Sequence, residues 1–198
     1  MTLTVSRSMR WIAALSTAAV LAVGGAVVVA RSGDDAPSAT TVRAESTDLL
    51  TLTEMTRLFD ALERKLGSLE VDKLRVYPEH AQIERPVPGK PGRSEGYSYK
   101  IDSGSPSFKG PDDAGTRTLT VPVDLAELRP SLPKLIGLVR GIEQSVAVPN
   151  PDSVYLRILR DDDIPIVEIL ASNQDMAAFG SLTMDLDGEI LEVRRADR

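Results

Sequence analysis

The sequence predicts an α+β protein: a helix packed on an antiparallel β-meander, in two tandem copies, behind one N-terminal transmembrane helix. Three observations lead there. Residues 11–30, WIAALSTAAVLAVGGAVVVA, carry no charge over twenty positions. Residues 50–66 then place apolar side chains at helical spacing, and several later runs alternate apolar and polar positions as half-buried strands do. Finally, the order helix then strands occurs twice, and internal periodicity of this kind points to repeated units.

In chain order, residues 1–10 form a short tail holding Arg7 and Arg10. The apolar run 11–30 is long enough, at about 1.5 Å per residue, to cross a hydrocarbon layer of roughly 30 Å. Its length favours an uncleaved anchor over a secretory signal, although Val28-Val29-Ala30 offers a small-x-small site and cleavage before Arg31 is the alternative. Arg7 and Arg10 precede the run and Asp34 and Asp35 follow it, so the positive-inside bias keeps the N-terminus in the cytoplasm and places the rest outside. Trp11 fits an interfacial anchor, and Gly24 and Gly25 are tolerated glycines rather than a dimerisation face. Residues 31–47 are small and polar and read as a flexible stalk.

The first unit, 48–121, opens with a helix over 50–66. Thr51 and Glu54 have capping-box spacing, Leu52, Met55, Leu58, Phe59, Leu62 and Leu66 give one buried face, and Gly67 stops it. LRVYP (74–78), then HAQIE, YSYKID (97–102) and TRTLTV (116–121) read as strands. PVPGKPGRSEG and SGSPSFKGPDDAG read as loops, because proline and glycine weaken a ladder.

The second unit, 122–198, repeats the order. Asp124, Leu125, Leu128, Leu138, Arg140 and Ile142 fall 76 positions after Asp48, Leu49, Leu52, Leu62, Arg64 and Leu66, LRI (156–158) echoes LRV (74–76), and GSLTMDLDG sits where GYSYKIDSG sat. Chance similarity of two amphipathic segments is the competing account. Pro130 and Pro133 break or restart the second helix, with Ser131 as its expected cap. VYLRILR puts Val154, Leu156 and Ile158 on one face, IPIVEIL reads as a more buried strand, and FGSLTMDLDGEILEVRR reads as a hairpin turning at Asp187-Gly188.

The residues LTMDLDGEILEVRR, following IPIVEIL and a preceding helix, resemble the PepSY family of small secreted or membrane-tethered bacterial domains. The resemblance covers 124–195 and, more loosely, 48–121. It implies a helix on an antiparallel sheet in a non-catalytic module that binds or restrains a partner protein of the envelope, in some relatives a peptidase. The two prolines of the second helix depart from that pattern.

Composition narrows the chemistry. Formal net charge is −6, and without Arg7 and Arg10 the remainder carries −8, which opposes nucleic acid binding. Seventeen arginines against six lysines, with abundant Ala, Val and Asp, suit the coding bias of a high-GC bacterium. Cysteine is absent, which removes disulfides and thiolate catalysis, and the single histidine, His80, excludes a His-rich zinc centre. Asp161, Asp162 and Asp163, with Asp185, Asp187 and Glu189, offer oxygen ligands, yet a calcium loop starting at Asp185 would need an acid where Ala196 stands, so solvated turns are expected. Ser131 and Lys134 fit S-x-x-K without its companion elements, which favours a helix start over a nucleophile. His80, between Glu79 and Glu84 on an expected edge, has no nucleophile to serve. GKPGRS (89–94) lacks the phosphate-loop pattern and leaves Lys90 and Arg93 as a basic loop tip that could touch anionic lipid or polymer, a solubilising role being the plainer one. Tyr97 and Tyr99 form one paired patch, expected in the core. The sequence thus predicts no catalytic residue, cofactor or metal site. It predicts a non-catalytic protein-binding or regulatory module on the outer side of a bacterial cell membrane, tethered through 11–30, with an envelope protein as partner. A cell-wall or peptide-directed enzyme or accessory subunit, resting on carboxylates, and an exported carrier with an apolar cavity are the alternatives.

Overall fold

The computed structural model describes residues 48–102, 105–117 and 121–196, which fall within one compact unit. The tail 1–10, the apolar run 11–30 and the stalk 31–47 lie outside the described residues, and among those described no helix is long and apolar enough to cross a membrane. The architecture is α+β with an antiparallel sheet.

Helix α1 spans Leu52–Leu66. Asp48 closes a turn ahead of it, its Oδ1 accepting from the Leu50 amide at 2.9 Å. Only half of the expected capping box forms. Thr51 is extended and its hydroxyl accepts from the Glu54 amide at 3.4 Å, whereas the Glu54 carboxylate takes Arg57 at 2.8 Å. Gly67, at φ 72°, ends the helix in the left-handed region, where a side chain would be strained. Met55, Leu58, Phe59 and Leu62 are fully buried, each contributing on the order of 2 kcal/mol. Leu52 is 39% exposed, a correction to the predicted buried face.

The sheet follows. Short strands β1 (Glu70–Val71) and β6 (Val123–Asp124) pair with each other. The large sheet has eight strands: β2 (Lys73–Val76), β3 (His80–Val87), β4 (Lys90–Asp102) and β5 (Ser105–Thr116), then β7 (Ser153–Asp161), β8 (Ile164–Asn173), β9 (Ala178–Met184) and β10 (Ile190–Arg194). Their order is β10-β9-β8-β7-β2-β3-β4-β5, every neighbour antiparallel. Each half is thus a meander, and the halves meet at β2 and β7.

That meeting is symmetric. The echoing triplets lie side by side, Leu74 against Ile158, Arg75 against Arg157, Val76 against Leu156. A local two-fold axis therefore passes through the Arg75–Arg157 pair. The turn at Asp48 recurs 76 positions later, where Asp124 Oδ1 accepts from the Ala126 amide at 2.9 Å.

Both predicted loops of the first unit are corrected. PVPGKPGRSEG runs through the β3–β4 hairpin, with Gly89 at φ 74° in its turn and Pro86 opposite Ser94. Proline is tolerated there because β2 pairs only with 81–84, so at Pro86 the strand has a ladder partner on one side alone. SGSPSFKGPDDAG is mostly β5, an edge strand, where Pro106 and Pro111 interrupt no second ladder. Of the predicted strand 116–121 only Thr116 belongs to β5, and 118–120 lie outside the described residues.

In the second half a 3-10 turn, Arg129–Ser131, runs directly into α2 (Leu132–Arg140), followed by α3 (Ile142–Val146). Ser131 is helical in backbone and makes no capping hydrogen bond with its side chain, contrary to expectation, because the turn already carries the chain into the helix. Arg129 ties the halves together, donating to Asp60 at 2.9 Å and Glu63 at 3.0 Å on α1. Asp162 and Asp163 both have positive φ and form the two-residue turn of β7–β8. The expected hairpin at Asp187-Gly188 joins β9 and β10: the Gly188 amide donates to Asp185 O at 3.2 Å and Gly188 adopts φ 84°, a three-residue turn with a bulge.

Helices and sheet share one core, in which Leu58, Phe59, Leu135, Leu74, Ile83, Tyr99, Leu156, Ile158, Ile169 and Met184 are all buried.

Candidate functional site

The residues that sequence reading singled out do not converge. Ser131 and Lys134 are indeed on one face, but they pack against the β9–β10 turn: a Cβ placed on Gly188 would lie 3.0 Å from Lys134 Cδ and 3.6 Å from Ser131 Oγ. Their role is contact with that turn. Asp161–Asp163 and Asp185–Glu189 are turn residues, and no three acidic or histidine side chains group as a metal would need among the described residues. Arg93 pairs with Asp113 across β4 and β5, so the basic tip is partly neutralised, leaving Lys90 exposed. Tyr99 is fully buried and meets Phe108 edge to face at 5.0 Å. Tyr97 is only partly buried and donates from its hydroxyl to Glu95 at 3.0 Å. Burial, then the hydrogen bond and charge of Glu95, push the Tyr97 phenol above its ordinary pKa.

Two polar groups escaped sequence reading. Asp72, between β1 and β2, accepts from Arg117 Nε at 2.8 Å and from Ser94 Oγ at 2.9 Å, and both ionic side chains are over nine-tenths buried. Arg117 Nη2 has no hydrogen-bond partner among the described residues. Beside the β3–β4 ladder, Arg85 donates to the terminal carbonyl of α1 at Leu66, 2.9 Å, with Glu95 at 3.7 Å. A single sequence gives no signal for either, since the partners are 45 and 19 positions apart. Both groups lock elements together; the one hydroxyl among them, on Ser94, donates to an Asp72 carboxylate already paired with Arg117.

The face of the sheet opposite the helices has a different character. There Tyr77 stacks on His80 at 4.6 Å and on Tyr155 at 5.1 Å. His80 starts the interior strand β3, a correction to its expected edge position. Arg75 and Arg157 lie next to this stack, directly across from each other. Like charges so placed repel, and each is offset by a flanking carboxylate: Glu84 at 3.5 Å for Arg75, Glu168 for Arg157. The hydrogen bond to Glu168 holds the Arg157 guanidinium protonated beyond its ordinary range. Tyrosine, arginine and histidine are gathered from strands β2, β3 and β7 and from the β2–β3 turn, where Tyr77 lies, and all are partly exposed. Two hollows elsewhere among the described residues are surface grooves, one of about 480 Å³ at Glu143, Ala147, Met176 and Ala196 and one of about 270 Å³ at Arg64, Lys65 and Phe108.

Compared with protein-family models, with curated proteins and with solved structures, the chain matches none.

Proposed function

We propose that the protein is a non-catalytic binding module of a bacterial envelope, anchored by residues 11–30 with its folded part outside the membrane, and that it engages another envelope protein. In this reading 48–121 and 122–198 are two copies of one helix-plus-meander unit, in keeping with the resemblance to PepSY domains. The observation that carries it is the Tyr155–Tyr77–His80 stack beside Arg75 and Arg157. Tyrosine and arginine on rigid strands are the residue types that dominate protein–protein binding energy, because they offer large contact area at low entropic cost. The acidic balance and the uncharged run 11–30 support the location and the choice of protein over nucleic acid.

The test is cross-linking of the C-terminally tagged full chain in intact cells, followed by capture and mass spectrometry, in wild type and in a Tyr77→Ala/Tyr155→Ala variant. A stoichiometric envelope protein that the variant recovers about tenfold less well is the expected result. Recovery of the protein alone, trimmed before Arg31, or a partner indifferent to both tyrosines, would overturn the reading.

A further inference from the structure

The two edges of the eight-stranded sheet are treated very differently. Edge β5 carries Pro106 and Pro111, glycines at 110 and 115, and register shifts against β4, all of which spoil a template for another strand. Edge β10, ILEVR, has no proline, no glycine and no lysine, and its one register shift against β9 lies at its start, between Ile190 and Glu192, leaving Glu192–Arg194 regular. All five of its residues are exposed, including Ile190 at 46%, Leu191 at 52% and Val193 at 41%. Three apolar side chains on a strand paired along one side only form a surface that solvent does not favour. Among the described residues the chain turns away from this edge afterwards, the Ala196 amide donating to Val146 O on α3 at 2.9 Å.

The sequence of β10 is self-complementary in one register only. Glu192 and Arg194 lie opposite Thr183 and Ser181 on one face, and Val193 lies opposite Leu182 on the other. An antiparallel mate that extends the sheet with its helices on the same side must match like faces, so the two-fold axis passes through a residue, and in the regular part of the ladder that residue is 192, 193 or 194. Centred on Glu192 it sets Glu192 against the partner's Glu192; centred on Arg194 it sets arginine against arginine. Centred on Val193 it sets Glu192 against the partner's Arg194 and Arg194 against the partner's Glu192, with the two valines meeting on the apolar side. The β9 strands of the two copies would then be about 14 Å apart, three strand spacings, which leaves room for the α3 helices above them at helix packing distances of 8–10 Å.

We propose that β10 pairs antiparallel with β10 of a second copy of this chain about a two-fold axis at Val193, joining the two sheets into one. This inference does not depend on the membrane location or on the outer-face partner.

The absence of native cysteine makes a direct test available. In the full chain, purified in mild detergent, Val193→Cys should oxidise to a disulfide-linked dimer, since opposed residues in an antiparallel ladder sit about 4.5–5.5 Å apart, within disulfide reach. Ile190→Cys should not, its mate being roughly 20 Å away along the strand. Glu192→Arg and Arg194→Glu should each weaken the dimer about tenfold or more by creating two like-charge pairs. An equimolar mixture of these two variants should restore dimers, an outcome that only interchain pairing produces because neither chain regains its own Glu192–Arg194 pair. Cross-linking of Ile190→Cys as readily as Val193→Cys, no rescue on mixing, or a single-mass monomer at all concentrations would overturn the proposal. Capture of Val193→Cys by a different protein would assign the edge to that protein and overturn it equally.

Discussion

Gly180 lies where β9 passes beneath α3, and a Cβ there would meet Val146 Cβ at 2.7 Å and Arg194 O at 3.0 Å. Gly180→Ala is therefore expected to lower stability by about 1–3 kcal/mol, read as a shift in the denaturant midpoint at constant slope. Gly188 is needed first for its φ of 84°, the close neighbour of an added Cβ being the flexible Lys134 side chain at 3.0 Å. Its turn is legible in sequence, because Asp-Gly between apolar runs is a local signal. The need for Gly180 is not, because the atom it avoids is 34 positions away. Tyr97 and Tyr99 both have raised pKa values, burial being the first cause in each. The unfolded chain then releases these protons first as pH passes about 10, so their contribution to stability is complete below that pH and declines above it. Tyr97→Phe should flatten this alkaline decline in a series of melting curves, while costing about 1 kcal/mol near neutrality through the lost bond to Glu95.

At the scale of elements, the Asp72–Arg117–Ser94 group fastens the chain leaving β5 to the junction of β1 and β2. Arg117→Ala leaves a buried carboxylate with Ser94 as its remaining hydrogen-bond partner among the described residues, and should cost about 3–5 kcal/mol by chemical denaturation. Replacement of both ionic partners by apolar residues should cost much less, which separates the lost pair from the orphaned charge. Helix α1 and strands β7 and β8 were readable because each is a continuous amphipathic or apolar run with its stop signal beside it. Strands β4 and β5 were not, since their glycines and prolines look like loop and become tolerable only through their neighbours. Pro86 lies beyond the end of β2, and Pro106 and Pro111 lie on an edge. Ser131 misled in the same way: its capping role was cancelled by a preceding turn that the two prolines had suggested only as a break.

For the described part of the molecule as a whole, the order helix then strands in each half was visible in the sequence, but the join was not. Side-by-side placement of 74–76 and 156–158 is a fact of the sheet, and it makes one core out of two meanders. Thermal unfolding should accordingly show one transition with equal calorimetric and van't Hoff enthalpies, and two resolved transitions would contradict a shared core. The candidate site was the least legible feature, because Tyr155 joins Tyr77 and His80 only across the central ladder. That ladder also sets a clock. Every other pairing in the large sheet joins strands consecutive in the chain, whereas Arg75 and Arg157 are 82 positions apart. Closing so long a loop is the slow step in building a non-local sheet, so each meander can form early and wait for the other. Ile158→Val, at the join, should then both slow refolding and hasten unfolding, whereas Ile169→Val, in a meander already made when the join forms, should leave the unfolding rate nearly unchanged. The time the chain spends with β2 and β7 unmet is the interval in which their bare edges face the solvent, and in which the molecule is most exposed to other chains.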